Sequence, residues 1–325
     1  MNRSKTSVIW LWLLACLCCL PAVAQNDGED PAEQRWWVPY SGSMLMGEKS
    51  YTLTLSNGSV LELGDPRVGE WAKKNVKRVS RMGHNDLHAW VVAVGYYRIE
   101  EAEPVLMRAA EKLIKRDQKV NDLRHLIFGS LAVIAQERSV KKLKRMLNAP
   151  IKDVGLFGGH SIGHRPMLAA ALFRLGDPAG EDYFLKTYRQ QLLDKQNDKP
   201  VQETPGATIE ALFDSRLVEQ IDALKKDPKL VEPFVPRNID SKLAFMRVNG
   251  MPLEELREVV RLGEKDPAKP LAQAACALAE RGTVDDIKLL KALNDRADLS
   301  TGNARQAQRA LVVIQCRLWK ELAKK

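Results

Sequence analysis

Most of the chain carries the apolar spacing of α-helices. From residue 68 onward apolar residues recur three and four positions apart, beginning with Val68, Trp71, Ala72, Val76 and Val79, which is the spacing of one helix face. Helical stretches of about 11 to 17 residues alternate with short breaks. The breaks lie at Gly83, Arg98-Ile99, Gln118, Gln136-Glu137, Gly176-Asp177-Pro178 and Gly282-Thr283. Because short connections join antiparallel neighbours, the sequence predicts an array of helical hairpins.

A different pattern precedes the helices. Apolar and polar residues alternate on both sides of a turn sequence that ends at Gly58, which predicts a β-hairpin. A two-residue loop would pair Leu53 with Glu62, whereas a three-residue loop with a left-handed glycine pairs Leu53 with Leu61. We expect the second register because it places the apolar residues on one face. The hairpin is expected to cover the exposed end of the helical array.

The first helices of successive hairpins resemble one another. Each contains a run of small and apolar residues, at Trp90–Val94, Ile127–Leu131, Leu168–Leu172 and Ala274–Leu278. Two-helix repeats of this length resemble the HEAT family, over roughly residues 84–322. The clearest copies, Leu168–Leu185 and Ala274–Leu290, look like its short bacterial variety, which is related to phycobilin lyases. A degenerate copy is expected near Met246.

The resemblance implies a right-handed superhelix whose second helices line a concave face, and it implies binding rather than chemistry. The predicted fold class is therefore all-α, an α-solenoid of antiparallel helical hairpins (HEAT-like) with a small N-terminal β-hairpin cap. The alternative is a closed ring of helical hairpins, as in terpene cyclases and polysaccharide lyases. The sequence shows no acidic catalytic motif of the cyclases.

The first 24 residues resemble an export signal. Arg3 and Lys5 precede the apolar stretch Val8–Leu20 and the small-residue cleavage motif Ala22-Val23-Ala24. We expect an exported protein, periplasmic or secreted, with membrane association only if Cys16 carries a lipid. The predicted divisions are a signal peptide (1–24), a flexible leader (25–34), the hairpin cap (35–64), HEAT-like repeats with a basic surface (65–194), an irregular linker or loop region (195–238) and C-terminal HEAT-like repeats (239–325).

Composition and cysteine usage fit an exported globular protein. Of the 325 residues, 45% are hydrophobic, 28% are charged and 6% are aromatic, which excludes disordered and collagenous classes. Two of the five cysteines lie beyond the predicted signal. Cys276 and Cys316 either form a disulfide, which an exported compartment permits, or pack as two buried thiols.

One motif points to catalysis. Gly159-His160-Ser161-Ile162-Gly163 closely resembles the nucleophile elbow of lipases and esterases in the α/β-hydrolase family. That family requires a strand before the serine and a later histidine, but no histidine follows His164. A serine hydrolase using Ser161, with His160 or His164 as the base, is the alternative function. A chance match in a glycine-rich loop is the competing explanation.

The same loop contains groups that bind anions. Glycines precede His164 and Arg165, just before a helix predicted to begin near Pro166. Backbone N–H groups, a helix N-terminus and a cation at one point favour phosphate or carboxylate. Alternatively, the glycines only permit a tight entry into the helix. No cofactor is expected, and neither histidine pair spaced by four residues is expected to hold a metal.

Positive charge is concentrated in one region. Residues 65–150 hold 18 Lys or Arg against 10 Asp or Glu, a net of +8, in a chain whose net charge is +9. In repeat phase, Arg108, Arg145 and Lys186 occupy matching positions of successive second helices. This pattern predicts a basic ladder on the concave side, with a merely solvated helix exterior as the alternative.

The sequence therefore predicts a noncatalytic binding scaffold. The expected ligand-binding residues are Arg108, Lys112, Arg145, Lys186, His164 and Arg165. The expected partner is an acidic protein, an anionic glycan or a lipid headgroup. Export makes nucleic acid a poor candidate despite the basic charge.

Overall fold

The computed structural model of the chain describes residues 51–115, 122–149, 164–197, 199, 217–263 and 271–324. These residues are mostly helical, with one two-stranded antiparallel sheet, so the all-α prediction is confirmed. The predicted signal, the leader, residues 35–50 and Cys16 lie outside the described residues. No helix in the described ranges is both long enough and apolar enough to span a bilayer.

The sheet precedes the helices. Its strands are β1 (Thr52–Thr54) and β2 (Val60–Glu62). In chain order the helices are α1 (Pro66–Lys74), α2 (His84–Tyr96), α3 (Glu103–Lys115), α4 (Asp122–Ile134), α5 (Val140–Leu147), α6 (His164–Arg174), α7 (Pro178–Gln196), α8 (Val218–Ala223), α9 (Phe234–Gly250), α10 (Leu253–Leu262), α11 (Leu271–Arg281), α12 (Asp286–Asn294), α13 (Thr301–Arg317) and α14 (Trp319–Leu322).

The two strands pair in the register expected of a three-residue loop. Leu53 lies opposite Leu61, and Gly58 has a φ of +81°, a left-handed conformation that glycine adopts without steric cost. The side chains of Leu53 and Leu63 are buried, and β1 packs against α2. The apolar face of the strands therefore joins the core.

The larger helices form two layers. In the inner layer, α2 packs on α4, α4 on α6, α9 on α11 and α11 on α13. Most outer helices pack on the next inner helix, as α3 does on α4, α5 on α6, α10 on α11 and α12 on α13, whereas α7 packs mainly on the preceding inner helix, α6. Helix α6 is buried around most of its circumference, and every residue from Pro166 to Phe173 is buried. Helix α9 is less covered, and its residues Arg237, Asp240 and Arg247 are exposed. The outer helices bury one stripe each, such as Leu143, Met146 and Leu147 of α5.

Arginines at the ends of inner helices tie neighbouring repeats together. Arg174 at the end of α6 donates to Ala132 O (3.0 Å) and Ala135 O, Arg281 to Asn249 O (2.6 Å) and Met251 O (2.7 Å), and Arg317 to Ala279 O (3.0 Å) and Gly282 O. The last carbonyls of a helix lack intrahelical donors and carry partial negative charge. Each guanidinium therefore satisfies two carbonyls at the end of the preceding inner helix.

The two ends of the described helical array meet. Helix α13 packs on α1 and α2, and α14 packs on α1. Trp319 Nε1 donates to the carbonyl oxygen of Tyr97 at 3.0 Å, and Arg98 forms an ion pair with Glu280. Gly69 permits this approach, because a Cβ there would lie 2.7 Å from the rings of Trp319 and Tyr97. An open arc would instead keep its first and last hairpins apart.

The predicted irregular region 195–238 contains regular structure. Helix α7 continues to Gln196, α8 lies inside the region, and α9 begins at Phe234. Helix α8 has six residues, which is too short for a periodic signal. Met246, near which a further repeat copy is predicted, lies fully buried on α9, which α10 follows in the chain.

Candidate functional site

The predicted cations on the second helices are exposed on the outer layer. Arg108 and Lys112 lie one turn apart on α3, Arg145 lies on α5 and Lys186 lies on α7. The second helices pack outside the inner layer. These four cations therefore lie on the outer surface and not on the predicted concave face. Apolar spacing identifies the buried face of each helix, but it does not say which layer lies inside.

Ion pairs neutralise part of this positive charge. Arg145 Nη2 lies 2.6 Å from Glu111 Oε1, which joins α5 to α3. Lys144 Nζ lies 3.2 Å from Asp177 Oδ2 at the start of α7. Four exposed cations on α3 and α5 have no carboxylate partner in the described part of the chain: Arg108, Lys112, Lys141 and Lys142. We call these four residues the α3–α5 basic face.

His164 is not part of an exposed anion site. It is the first residue of α6, it is 3% exposed, and its ring lies 5.0 Å from that of Phe128. Arg124 Nη2 lies 3.0 Å from His164 Nδ1. Because a guanidinium can only donate, Nδ1 is the acceptor in this contact. His164 is therefore an interior residue in contact with Arg124, and it is not the exposed ligand-binding residue that the sequence predicted.

Arg165 points towards a different part of the molecule. Its Nη2 donates to Ala149 O at 3.2 Å, just beyond the end of α5. Arg165 and Lys186 line the same cleft beside α7. Of the six predicted ligand-binding residues, the structure thus brings these two together at one cleft and places Arg108, Lys112 and Arg145 on another surface.

Of the two possibilities that the sequence left open for the cysteines, the disulfide is not formed. Cys276 and Cys316 are both free and fully buried, on α11 and α13. Burial raises the pKa of the Cys316 thiol to about 12, and burial also raises the pKa of the Cys276 thiol, with Arg309 opposing the shift. Both thiols are therefore protonated and unreactive at neutral pH. They pack as small apolar groups, which was the other possibility left by the sequence.

The catalytic alternative concerns residues outside the described ranges. Ser161 and the other residues of its glycine-rich motif fall between Ala149 and His164, in a stretch that the structure does not describe. Within the described ranges, no group of three or more His, Cys, Asp or Glu side chains is arranged to hold a metal ion.

The sequence pattern did not single out several polar residues that are buried on the inner helices. Arg124, Gln273, Gln306 and Arg309 are at most 9% exposed. Burial raises the pKa values of Tyr51 and Tyr96, and the nearby charge of Arg309 opposes both shifts. The sequence signal that could have found them is a polar residue within the apolar run of a helix. Such a residue needs a hydrogen-bond partner when it is buried.

Comparisons with known proteins give no relative for this chain. No family model, no curated protein and no solved structure matches it.

Proposed function

We propose that this chain is an exported, noncatalytic binding protein that recruits an acidic partner through the α3–α5 basic face. One observation carries the proposal. Arg108, Lys112, Lys141 and Lys142 are exposed and have no carboxylate partner in the described residues. The Arg145–Glu111 pair joins the two helices that carry these cations, and we propose that the four charges act as one surface.

Adjacent unpaired cations favour an anionic partner. Their mutual repulsion is relieved when a partner supplies negative charge, and the field of the face speeds encounter with such a partner. A face of this kind suits an acidic protein, an anionic glycan or a lipid headgroup. Exposed charges are strongly screened by salt, so the interaction is expected to be salt-sensitive.

The proposed architecture is an array of HEAT-like hairpins whose first and last members pack together. The contacts of α13 and α14 with α1 and α2 support this closed arrangement. The N-terminal β-hairpin is proposed to cover the inner layer next to α2, since β1 packs there. Closure stiffens the inner layer and leaves the outer helices as the surface for partners.

The test is binding of a labelled sulfated polysaccharide and of polyglutamate, measured by fluorescence anisotropy at low and high salt. The variant Arg108→Glu/Lys112→Glu should lower the affinity at least about tenfold, because two attractive contacts become repulsive. The control Lys288→Glu/Lys291→Glu makes the same charge change on the exposed side of α12. An equal loss in both variants, or none in the first, would contradict a localised site.

A further inference from the structure

The cleft beside α7 arises from a difference in helix length. Outer helix α5 has eight residues, whereas the next outer helix, α7, has 19. The Lys144–Asp177 contact aligns the second half of α5 with the start of α7. Helix α7 therefore continues well beyond the end of α5. The space beside it is a cleft of about 630 Å³, within the range of roughly 300–1,000 Å³ typical of small-molecule sites.

One stripe of α7 lines this cleft. Asp182, Tyr183, Lys186, Thr187 and Gln190 face it, and their spacing of three and four residues places them on one side of the helix. Asn148 from the end of α5 and Arg165 from the start of α6 line the cleft as well. The lining contains two cations, Arg165 and Lys186, and two carboxylates, Asp182 and Asp194.

Arg165 is the cationic anchor of the cleft. Its Nη2 donates to Ala149 O at 3.2 Å, and its Nε is shielded from solvent and has no acceptor among the residues that the structure describes. Lys186 is exposed at the same cleft and has no carboxylate partner in the described residues. A guanidinium and an ammonium group that line one cleft favour a carboxylate, because each of its two oxygens can accept from a cation.

The other lining groups favour hydroxyl groups in the ligand. Asp182 is exposed at the cleft, where its carboxylate can accept hydrogen bonds from hydroxyls. The Thr187 hydroxyl donates to Tyr183 O at 2.6 Å, which leaves its oxygen as an acceptor. The Asn148 amide offers both donors and an acceptor. The ring of Tyr183 adds a flat, partly apolar surface.

We propose that this cleft binds an acidic sugar, with the ligand carboxylate on Arg165 and Lys186 and its hydroxyls on Asp182, Thr187 and Asn148. The site is separate from the α3–α5 basic face and concerns a small ligand. It therefore goes beyond the function proposed above and does not depend on it.

Isothermal titration of the purified protein with D-glucuronate, D-galacturonate, D-glucose and inorganic phosphate tests the proposal. At least one of the two uronates should bind about tenfold or more tightly than glucose and phosphate, since only a uronate engages both cations and the hydroxyl acceptors. Lys186→Gln and Arg165→Gln should each lower that affinity by about tenfold or more, the effect of losing one charge-assisted contact. Lys288→Gln on α12 is the control and should leave it unchanged.

Three results would overturn the proposal. They are equal binding of glucose and both uronates, binding of phosphate as tight as that of the uronates, and no uronate binding at millimolar concentration. Lys186 is exposed, so its variant tests the site even if Arg165→Gln, which loses the contact with Ala149, fails to fold. An unaltered uronate affinity in Lys186→Gln would also count against the assigned carboxylate position.

Discussion

At the scale of single residues, a buried carboxylate at the start of α12 carries a pH-dependent part of the stability. Asp286 accepts from Arg257 Nε at 2.7 Å and Nη2 at 2.9 Å, and from the Thr283 backbone N–H at 2.8 Å. The hydrogen bonds from Arg257 are the main reason that the pKa of Asp286 is lowered, and its burial partly opposes them. The stabilisation is therefore present above the ordinary aspartate pKa and is lost as the pH falls through the lowered value.

We expect Asp286→Asn to lower the free energy of unfolding by about 2 kcal/mol at pH 7, and by progressively less as the pH falls below the ordinary aspartate pKa. Urea unfolding at a series of pH values from 7 downwards measures this difference. The matched control is Glu254→Gln, which removes the other carboxylate partner of Arg257; Glu254 is 78% exposed, so its contribution should be small. A loss for Asp286→Asn that does not change with pH would contradict the assigned linkage.

The two buried thiols give a second prediction at this scale. Cys276 and Cys316 are fully buried and protonated at neutral pH, so a maleimide should label neither of them in the native protein within minutes. Both should react once guanidinium unfolds the chain. Mass spectrometry of peptides containing each cysteine checks the result. Rapid native labelling, or a mass two hydrogens below that of the dithiol, would contradict the packing described.

At the scale of helices, the arginine contacts between successive inner helices are a repeated stabilising device. Arg174→Lys should lower the free energy of unfolding by about 1–2 kcal/mol, because a single ammonium group cannot reproduce the guanidinium fork that reaches the carbonyls of Ala132 and Ala135. Arg305→Lys, at an exposed position of α13, should be neutral within about 0.5 kcal/mol. Denaturant unfolding of both variants measures the difference, and equal stabilities would show that the contacts are incidental.

The helices were predictable from the sequence because their signals are local. The breaks at Gly83 and Gly176-Asp177-Pro178 coincide with helix ends, and the pairing of Leu53 with Leu61 follows from the turn. Helix α8 was missed because six residues give no periodicity.

The cleft could not be predicted, since it depends on the relative lengths of α5 and α7. The burial of His164 depends on Arg124, a partner 40 residues away.

At the scale of the whole molecule, the contact between the first and last helices is the feature least accessible from sequence. Trp319 and Tyr97 are 222 residues apart, and no repeat pattern relates them. Open arrays of repeats unfold from their ends because each repeat contacts only its neighbours. In this chain the two ends pack together, and we call the contact of α13 and α14 with α1 and α2 the seam. Loosening the seam should expose helices from both ends of the sequence.

Truncation of Trp319 tests this seam. Trp319→Ala removes a large buried side chain and its hydrogen bond to Tyr97, which should cost about 3–5 kcal/mol. Hydrogen exchange should then show lost protection in α1, α2 and α13, and little change in α6 and α7. Leu192→Ala, a buried truncation on α7, is the control and should lower protection around α7 while leaving α1 protected. If Trp319→Ala loosened only α13 and α14, the two ends would be in contact without stabilising each other, and the array would behave as an open one.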